Sequence, residues 1–130
     1  MDFDFSPEET EFAQHFRKFC EKEIAPHTAA ADEAGELPRS HYHKLGEIGY
    51  TGLLHKRSFG GQEASLIQTI LAQTILAENC GSTFFSVGAS CGLFGGPVAD
   101  YATPAIAQRL VPEVLKGQAI GCLAVTEPDT

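Results

Sequence analysis

The spacing of apolar side chains predicts helices along most of the chain. The first begins at Ser6, whose hydroxyl suits an N-cap; Pro7 takes the first helical position and Glu9 completes a capping box. Apolar residues then recur at close to helical spacing and form one face: Phe12, Phe16, Phe19 and Ile24. Pro26 bends or ends this helix.

The middle of the chain predicts three further helices. An Ala-rich helix covers residues 27–34, and another covers residues 38–48 with Gly49 as its C-terminal cap. After a loop, Ser65 caps a helix over residues 66–79. That helix is apolar almost all round, so we expect it at the centre of a bundle.

The segment 83–93 is ambiguous, because its first five residues have strand propensity while its small residues suit a closely packed helix. We predict a helix, capped by Ser82. Residues 95–97, Gly-Gly-Pro, predict a break, and a short helix is expected to follow it up to residue 102. A last amphipathic helix covers residues 104–115, and Gly117 closes it.

After Gly117 the hydrophobic period changes. Residues 119–125 form a short apolar run without a helix cap, which predicts a buried β-strand. A lone strand has no hydrogen-bonding partner and is not stable by itself. The sequence therefore predicts an all-α bundle of about six helices that leads into the first strand of a sheet, whose other strands we expect beyond residue 130.

The charge pattern excludes several classes of function. The net charge is −8, with 17 acidic and 9 basic residues and no basic stripe, which argues against nucleic-acid binding. No apolar run approaches the roughly 20 residues of a membrane span. The acidic start, residues 1–4, lacks the features of a secretory signal, so we expect a cytoplasmic protein.

The cysteines and histidines predict no metal site. The four cysteines lie far apart without a C-x-x-C pair, which predicts reduced and mostly buried thiols rather than a disulfide. His41 and His43 are two residues apart, so on a helix they point in different directions. We expect both on the helix surface.

One motif resembles a known family. The run Ala124-Val125-Thr126-Glu127-Pro128 resembles the "TEP" flavin-binding signature of the acyl-CoA dehydrogenases. Other features agree with that family in order and spacing: Ser-Pro-Glu-Glu at 6–9, Ile-Ala-Pro at 24–26, Leu-Gly-x-x-Gly at 45–49, Phe-Gly-Gly at 59–61 and Gly-Ser-Thr at 81–83. The resemblance covers the whole chain.

The resemblance implies an FAD-dependent enzyme that removes a proton from the α-carbon and a hydride from the β-carbon of an acyl-CoA, in fatty acid metabolism. It implies electron-transfer flavoprotein as acceptor and a homotetramer as assembly. Residues 1–117 would be its N-terminal α-helical domain, and residues 118–130 the first strand and TEP turn of its central β-domain, the remainder of which is absent. The catalytic base would lie in the absent C-terminal domain.

Matching position to position, the resemblance implies two groups of binding residues. Four residues fall where the family contacts its flavin: Leu123, Ala124, Val125 and Thr126. Four others fall on the helix that lines the acyl pocket, where Phe85 would shorten the pocket and Ala89 would leave depth: Phe85, Ser86, Ala89 and Leu93. Plain core packing explains most of the second group equally well.

Of three alternative functions, the sequence itself rejects the first. Residues 88–92 fit G-x-S-x-G, the nucleophile elbow of α/β-hydrolases, but no histidine follows Ser90 to complete a triad in this chain. A non-catalytic helical subunit is the second alternative. The third lies within the superfamily: a flavin-dependent oxidase or hydroxylase, or a dehydrogenase of acyl groups on carrier proteins.

Overall fold

The computed structural model describes residues 4–128, and these residues form a helical bundle. The α-helices are α1 Pro7–Glu23, α2 Ala25–Ala34, α3 Arg39–Glu47, α4 Leu66–Asn79, α5 Gly81–Gly88, α6 Gly96–Tyr101 and α7 Pro104–Leu115. A π-helical segment, Ala89–Gly95, joins α5 to α6. Two 3-10 turns, Tyr50–Gly52 and Arg57–Phe59, lie between α3 and α4. The predicted all-α fold is confirmed.

The starts of α1 and α4 follow from the same local chemistry. The Oγ of Ser6 accepts the Glu9 amide at 3.2 Å, and the Glu9 carboxylate accepts the Ser6 amide at 2.8 Å. Ser65 and Gln68 form the same reciprocal pair at 3.1 and 3.3 Å. Each capping box satisfies two backbone donors that a helix start leaves unpaired.

The core cluster includes residues of α1, α3, α4 and α5. Helix α1 packs against α2 and α4, while α7 packs against α6 and the π segment. The Phe16 and Tyr50 rings stack with centroids 5.2 Å apart, which joins α1 to the first 3-10 turn. The core cluster also includes Cys20, Ile24, Leu45, Leu76 and Val87.

The composition of α4 predicted a helix at the centre of the bundle. In the structure, only one side of this helix is buried. It buries the side formed by Thr69, Ala72, Ile75 and Leu76. Three apolar side chains on its other side are about half exposed or more: Leu66, Ile67 and Ile70. Composition shows that every side of this helix is apolar, but it does not show how many sides have a packing partner within the chain.

The helical assignment of residues 83–93 is confirmed, whereas its boundaries differ from the prediction. The N-cap is Cys80 rather than Ser82. No break occurs at residues 95–97, because the chain passes from the π segment into α6. A π turn already shifts the hydrogen-bond pattern, so Pro97 lies at the second position of a new helix, where its missing N–H costs little.

The strand predicted over residues 119–125 is not confirmed. Residues 120–127 carry neither helix nor strand, and a strand needs a neighbour that residues 4–128 do not supply. Two predictions concern residues that lie outside the described range: the lack of a secretory signal, which rests partly on residues 1–3, and the extension of the second domain over residues 129 and 130.

The predicted burial of the cysteines and histidines agrees with the structure only in part. Cys20, Cys80 and Cys91 are buried and Cys122 is exposed, all as free thiols, so the predicted burial is confirmed for three. The prediction that His41 lies on the helix surface is wrong, because its side chain is fully buried. Within residues 4–128, no helix has the length and apolar character needed to cross a membrane.

Candidate functional site

The end of α7 is fixed against the first half of the bundle. The Thr51 hydroxyl donates to the carbonyl of Leu115 in a buried hydrogen bond. Gly117 has a φ of 69°, and a Cβ at this position would overlap the backbone of Tyr42 in α3. Any other residue would therefore have both an unfavourable backbone conformation and a steric overlap at this position. This close approach sets the direction in which the chain leaves α7.

A second attachment follows at Gly121. Its backbone N–H donates to the Oγ of Ser90 at 2.9 Å, in a buried hydrogen bond between residues 31 positions apart. The space that a Cβ of Gly121 would need is filled by the Phe94 side chain. We call Ser90, Phe94 and Gly121 the clamp. It holds the chain against the π segment immediately before the four predicted flavin-contacting residues.

The predicted flavin-contacting residues, Leu123 to Thr126, lie on the surface beyond the clamp. They are not helical, and Leu123 and Val125 are 55% and 73% exposed. Their peptide groups make no hydrogen bond within residues 4–128. This segment is thus anchored at one end and presents unpaired donors and acceptors, an arrangement that suits the edge of a flat polar ring.

The predicted acyl-contacting residues lie on α5 and the π segment. Phe85 and Leu93 are 72% and 53% exposed, so neither is core, while Ala89 is half-buried. Ser86 is also half-buried, and its side chain interacts with the Tyr42 hydroxyl in the direction that lowers the pKa of Tyr42. Burial nevertheless raises the pKa of the Tyr42 hydroxyl. The clamp connects this helical face to the segment of predicted flavin-contacting residues, because Ser90 lies between Ala89 and Leu93 in the chain and accepts a hydrogen bond from Gly121.

A cavity that the sequence did not predict opens beside the same helix. Its volume is about 350 Å³, and it is bounded by both 3-10 turns, α4, α6 and the π segment. The Nε2 of His55 donates a hydrogen bond to the Cys91 carbonyl at 3.0 Å. Burial lowers the pKa of His55. Gly88 and Gly92 face this space. The predicted acyl-contacting residues are not among its lining residues.

The arrangement around Ser90 excludes a nucleophile elbow. That motif places an exposed serine on a turn between a strand and a helix. Ser90 instead lies inside the π segment, is 1% exposed, and accepts the Gly121 amide with its hydroxyl oxygen. The α/β-hydrolase alternative is therefore wrong for this chain.

Known proteins are similar to this chain. The family described as "Acyl-CoA dehydrogenase, N-terminal domain" matches residues 6–118. A probable acyl-CoA dehydrogenase of Bacillus subtilis is 31% identical over 129 residues, which is 99% of this chain and 34% of the relative. Benzylmalonyl-CoA dehydrogenase of Aromatoleum aromaticum is 34% identical over 130 residues, again 99% of this chain and 34% of the relative.

Solved structures of related proteins have the same fold over this part of the chain. Glutaryl-CoA dehydrogenase from Mycobacterium smegmatis superposes with a TM-score of 0.90 at 29% identity, covering 97% of this chain and 33% of the other. A chain in a structure of the electron transferring flavoprotein of Acidaminococcus fermentans gives 0.88 at 26% identity, covering 99% and 34%. This chain thus spans about a third of the length of its relatives. By the family match over residues 6–118, the chain belongs to the acyl-CoA dehydrogenase family, whose N-terminal helical domain it contains.

Proposed function

We propose that this chain forms the N-terminal part of an FAD-dependent dehydrogenase that oxidises the α,β-bond of an acyl-CoA thioester. Family membership supports acyl-CoA dehydrogenation in general. One observation supports flavin binding at a specific place: Leu123 to Thr126 form an anchored, exposed segment whose peptide groups have no hydrogen-bond partner among residues 4–128. Residues 1–117 would be the helical domain and 118–130 the start of the β-domain.

The residues present fit the edge of a flavin. The exposed peptide groups of Leu123 and Val125 would supply donors and acceptors to the ring, and the Thr126 hydroxyl would add one more. When bound, FAD would supply the acceptor for a hydride from the substrate β-carbon. The protein's own task in this part of the site is therefore to hold and orient the cofactor.

The exposed face of Phe85, Ala89 and Leu93 would contact the acyl chain, with Ser86 at its edge. Phe85 and Leu93 are more than half exposed, and covering such apolar side chains with an apolar ligand or another part of the protein lowers the free energy. An acyl chain beside the flavin-facing segment would place the reacting carbons near the ring. Covering the face would also exclude water from the reaction.

The test uses the purified protein that carries this sequence. We expect it to show the two visible absorption bands of oxidised flavin, and to lose them anaerobically when a saturated acyl-CoA is added. A panel of straight-chain, branched and dicarboxylic acyl-CoA esters would then identify the substrate class. Preparations without flavin, or flavin that no ester in the panel reduces, would contradict the proposal.

Two esters serve as chemical controls. Acetyl-CoA has no β-carbon, and pivaloyl-CoA has no α-hydrogen, so neither can undergo α,β-dehydrogenation. We expect both to leave the flavin oxidised. Bleaching by either would indicate a reaction other than the one proposed.

The partners follow from the same proposal. We propose electron-transfer flavoprotein as the electron acceptor, which the likeness to a chain of the Acidaminococcus fermentans structure supports in general terms. The homotetrameric assembly, the role in fatty acid metabolism and the cytoplasmic location stay predictions. Sedimentation analysis of the flavin-loaded protein would test the assembly.

A further inference from the structure

We infer that Ser90 is a positioning residue, which fixes the flavin-facing segment at a set distance from the acyl-facing helix. The positioning role rests on the proposed function, whereas the contacts between Ser90, Phe94 and Gly121 do not depend on it. Ser90 is 1% exposed, and its oxygen accepts the amide of Gly121 at 2.9 Å. Leu123 follows two residues later.

The second component of the clamp is steric. A Cβ on Gly121 would overlap Cβ, Cγ and Cδ1 of Phe94, so the backbone at 121 lies directly against the root of that side chain. Movement of Phe94 at its ring tip would not relieve the overlap. The hydrogen bond to Ser90 and the contact with Phe94 thus hold the same residue from two positions of the π segment that are four residues apart.

The π segment carries both acyl-facing residues and residues of the clamp. This segment, Ala89–Gly95, contains the acyl-facing residues Ala89 and Leu93, and it also places Ser90 and Phe94 against the Gly121 peptide. The wide turns of a π-helix redirect side chains and recur at functional sites. Any shift of this segment would therefore move the two predicted binding surfaces together.

The first measurement needs no cofactor. In Ser90→Ala, we expect amide hydrogen exchange at Gly121 to become about tenfold faster, since one hydrogen bond is lost. Alanine keeps the helix, so the far-ultraviolet circular dichroism should be unchanged. The matched control is Ser82→Ala, which removes an exposed hydroxyl from α5. Equal exchange at Gly121 in both variants would overturn the clamp.

The second variant breaks the clamp from the other side. Gly121→Ala introduces the Cβ that Phe94 excludes, and we expect faster amide exchange from 121 to 126. Its control, Gly88→Ala, adds a methyl group where no atom lies within 4 Å. A Gly121→Ala protein with the exchange pattern of its control would contradict the steric component.

The cofactor measurement separates this inference from the proposed function. In flavin-loaded protein we expect Ser90→Ala and Gly121→Ala to raise the dissociation constant of FAD about tenfold, and to alter the visible spectrum of the bound flavin. Unchanged affinity and spectrum in both variants would overturn the positioning role. If the unmodified protein binds no flavin, the proposed function fails, while amide exchange still decides whether the clamp exists.

Discussion

The Nδ1 atom of His41 lies 2.7 Å from the Oγ1 atom of Thr83, and both side chains are fully buried. Thr83 in turn donates its hydroxyl proton to the sulfur of Cys80 at 3.1 Å. The Thr83 oxygen therefore accepts from His41, and the imidazole carries its proton on Nδ1. Its Nε2 is buried and has no partner within the described part of the chain. A neutral histidine thus joins α3 to α5.

This pair predicts that acid destabilises the fold. Burial, followed by nearby His27 and Lys44, lowers the pKa of His41 below its ordinary 6.5. The unfolded chain then binds more protons than the folded one as the pH falls through 6.5, so stability decreases. We expect the free energy of unfolding to fall between pH 7 and pH 5, by up to about 1.4 kcal/mol per pH unit for this group. Urea titrations at each pH measure it.

The variant that isolates this effect is His41→Asn, whose amide can still donate to Thr83. It should be less stable at pH 7 but show a shallower dependence on pH than the parent. His55, whose pKa burial also lowers, keeps part of the slope. The control is His43→Asn at an exposed position of the same helix. Equal slopes in the two variants would show that His41 does not carry the effect.

Two glycines with similar backbone angles provide the second prediction. Gly35 and Gly117 have φ of 65° and 69°, but a Cβ meets nothing within 4 Å at Gly35 and overlaps the Tyr42 backbone at Gly117. Gly35→Ala should cost about 1–2 kcal/mol, the conformational strain alone. Gly117→Ala should cost about 1–3 kcal/mol more, because the overlap is added. Similar values in thermal or urea unfolding would show that α3 moves away without penalty.

The third prediction concerns the link between the first 3-10 turn and α7. Thr51→Val keeps the shape of the side chain but removes the donor to the Leu115 carbonyl. A buried carbonyl left without its partner costs about 1–3 kcal/mol. Thr74→Val, at an exposed position of α4, should change the free energy of unfolding by less than about 0.5 kcal/mol. If both variants unfold at the same urea concentration, the Thr51 bond does not contribute.

The sequence predicted those features that local chemistry determines. Ser65 and Gln68 satisfy the first amides of α4 within four residues, and the predicted bounds of that helix, 66–79, match the structure. Gly49 lies just after α3 with a φ of 77°, as a C-terminal glycine would. In each case the deciding contacts lie within one turn of the helix end.

Features that depend on distant contacts were not predictable in this way. The burial of His41 depends on Thr83, 42 positions along the chain, and the clamp depends on Ser90 meeting Gly121. The residues of the TEP run were found by family resemblance, whereas no local pattern marks Ser90 as their support. The strand over 119–125 is not confirmed, because an apolar run specifies burial, whereas a strand also needs a partner that residues 4–128 do not supply.

The fourth prediction concerns thiol reactivity. Cys122 is exposed, whereas burial raises the pKa of both Cys20 and Cys91 to about 12, which keeps these thiols protonated and unreactive. We expect iodoacetamide at neutral pH to modify Cys122 first in the native protein, and all four cysteines after denaturation. Peptide mass spectrometry identifies the sites. Early modification of Cys20 or Cys91 would contradict the packing described for the core.

The last prediction rests on the proposed function and concerns acyl-chain length. Phe85 is 72% exposed on the face proposed to contact the acyl chain, so Phe85→Ala should change stability little. If its ring limits the depth of the pocket, the variant should prefer longer straight-chain acyl-CoA esters. The gain in kcat/KM should be about fourfold for each methylene that the new space accepts, because burying one CH₂ contributes about 0.8 kcal/mol.

The matched control is Leu66→Ala, which removes a side chain of similar exposure from α4. It should leave the ratio of kcat/KM between short and long esters unchanged. Loss of activity on all esters in Phe85→Ala would indicate a contact needed for every substrate rather than one that selects length. A profile equal to that of Leu66→Ala would show that this face is covered by protein, and that the acyl chain lies elsewhere.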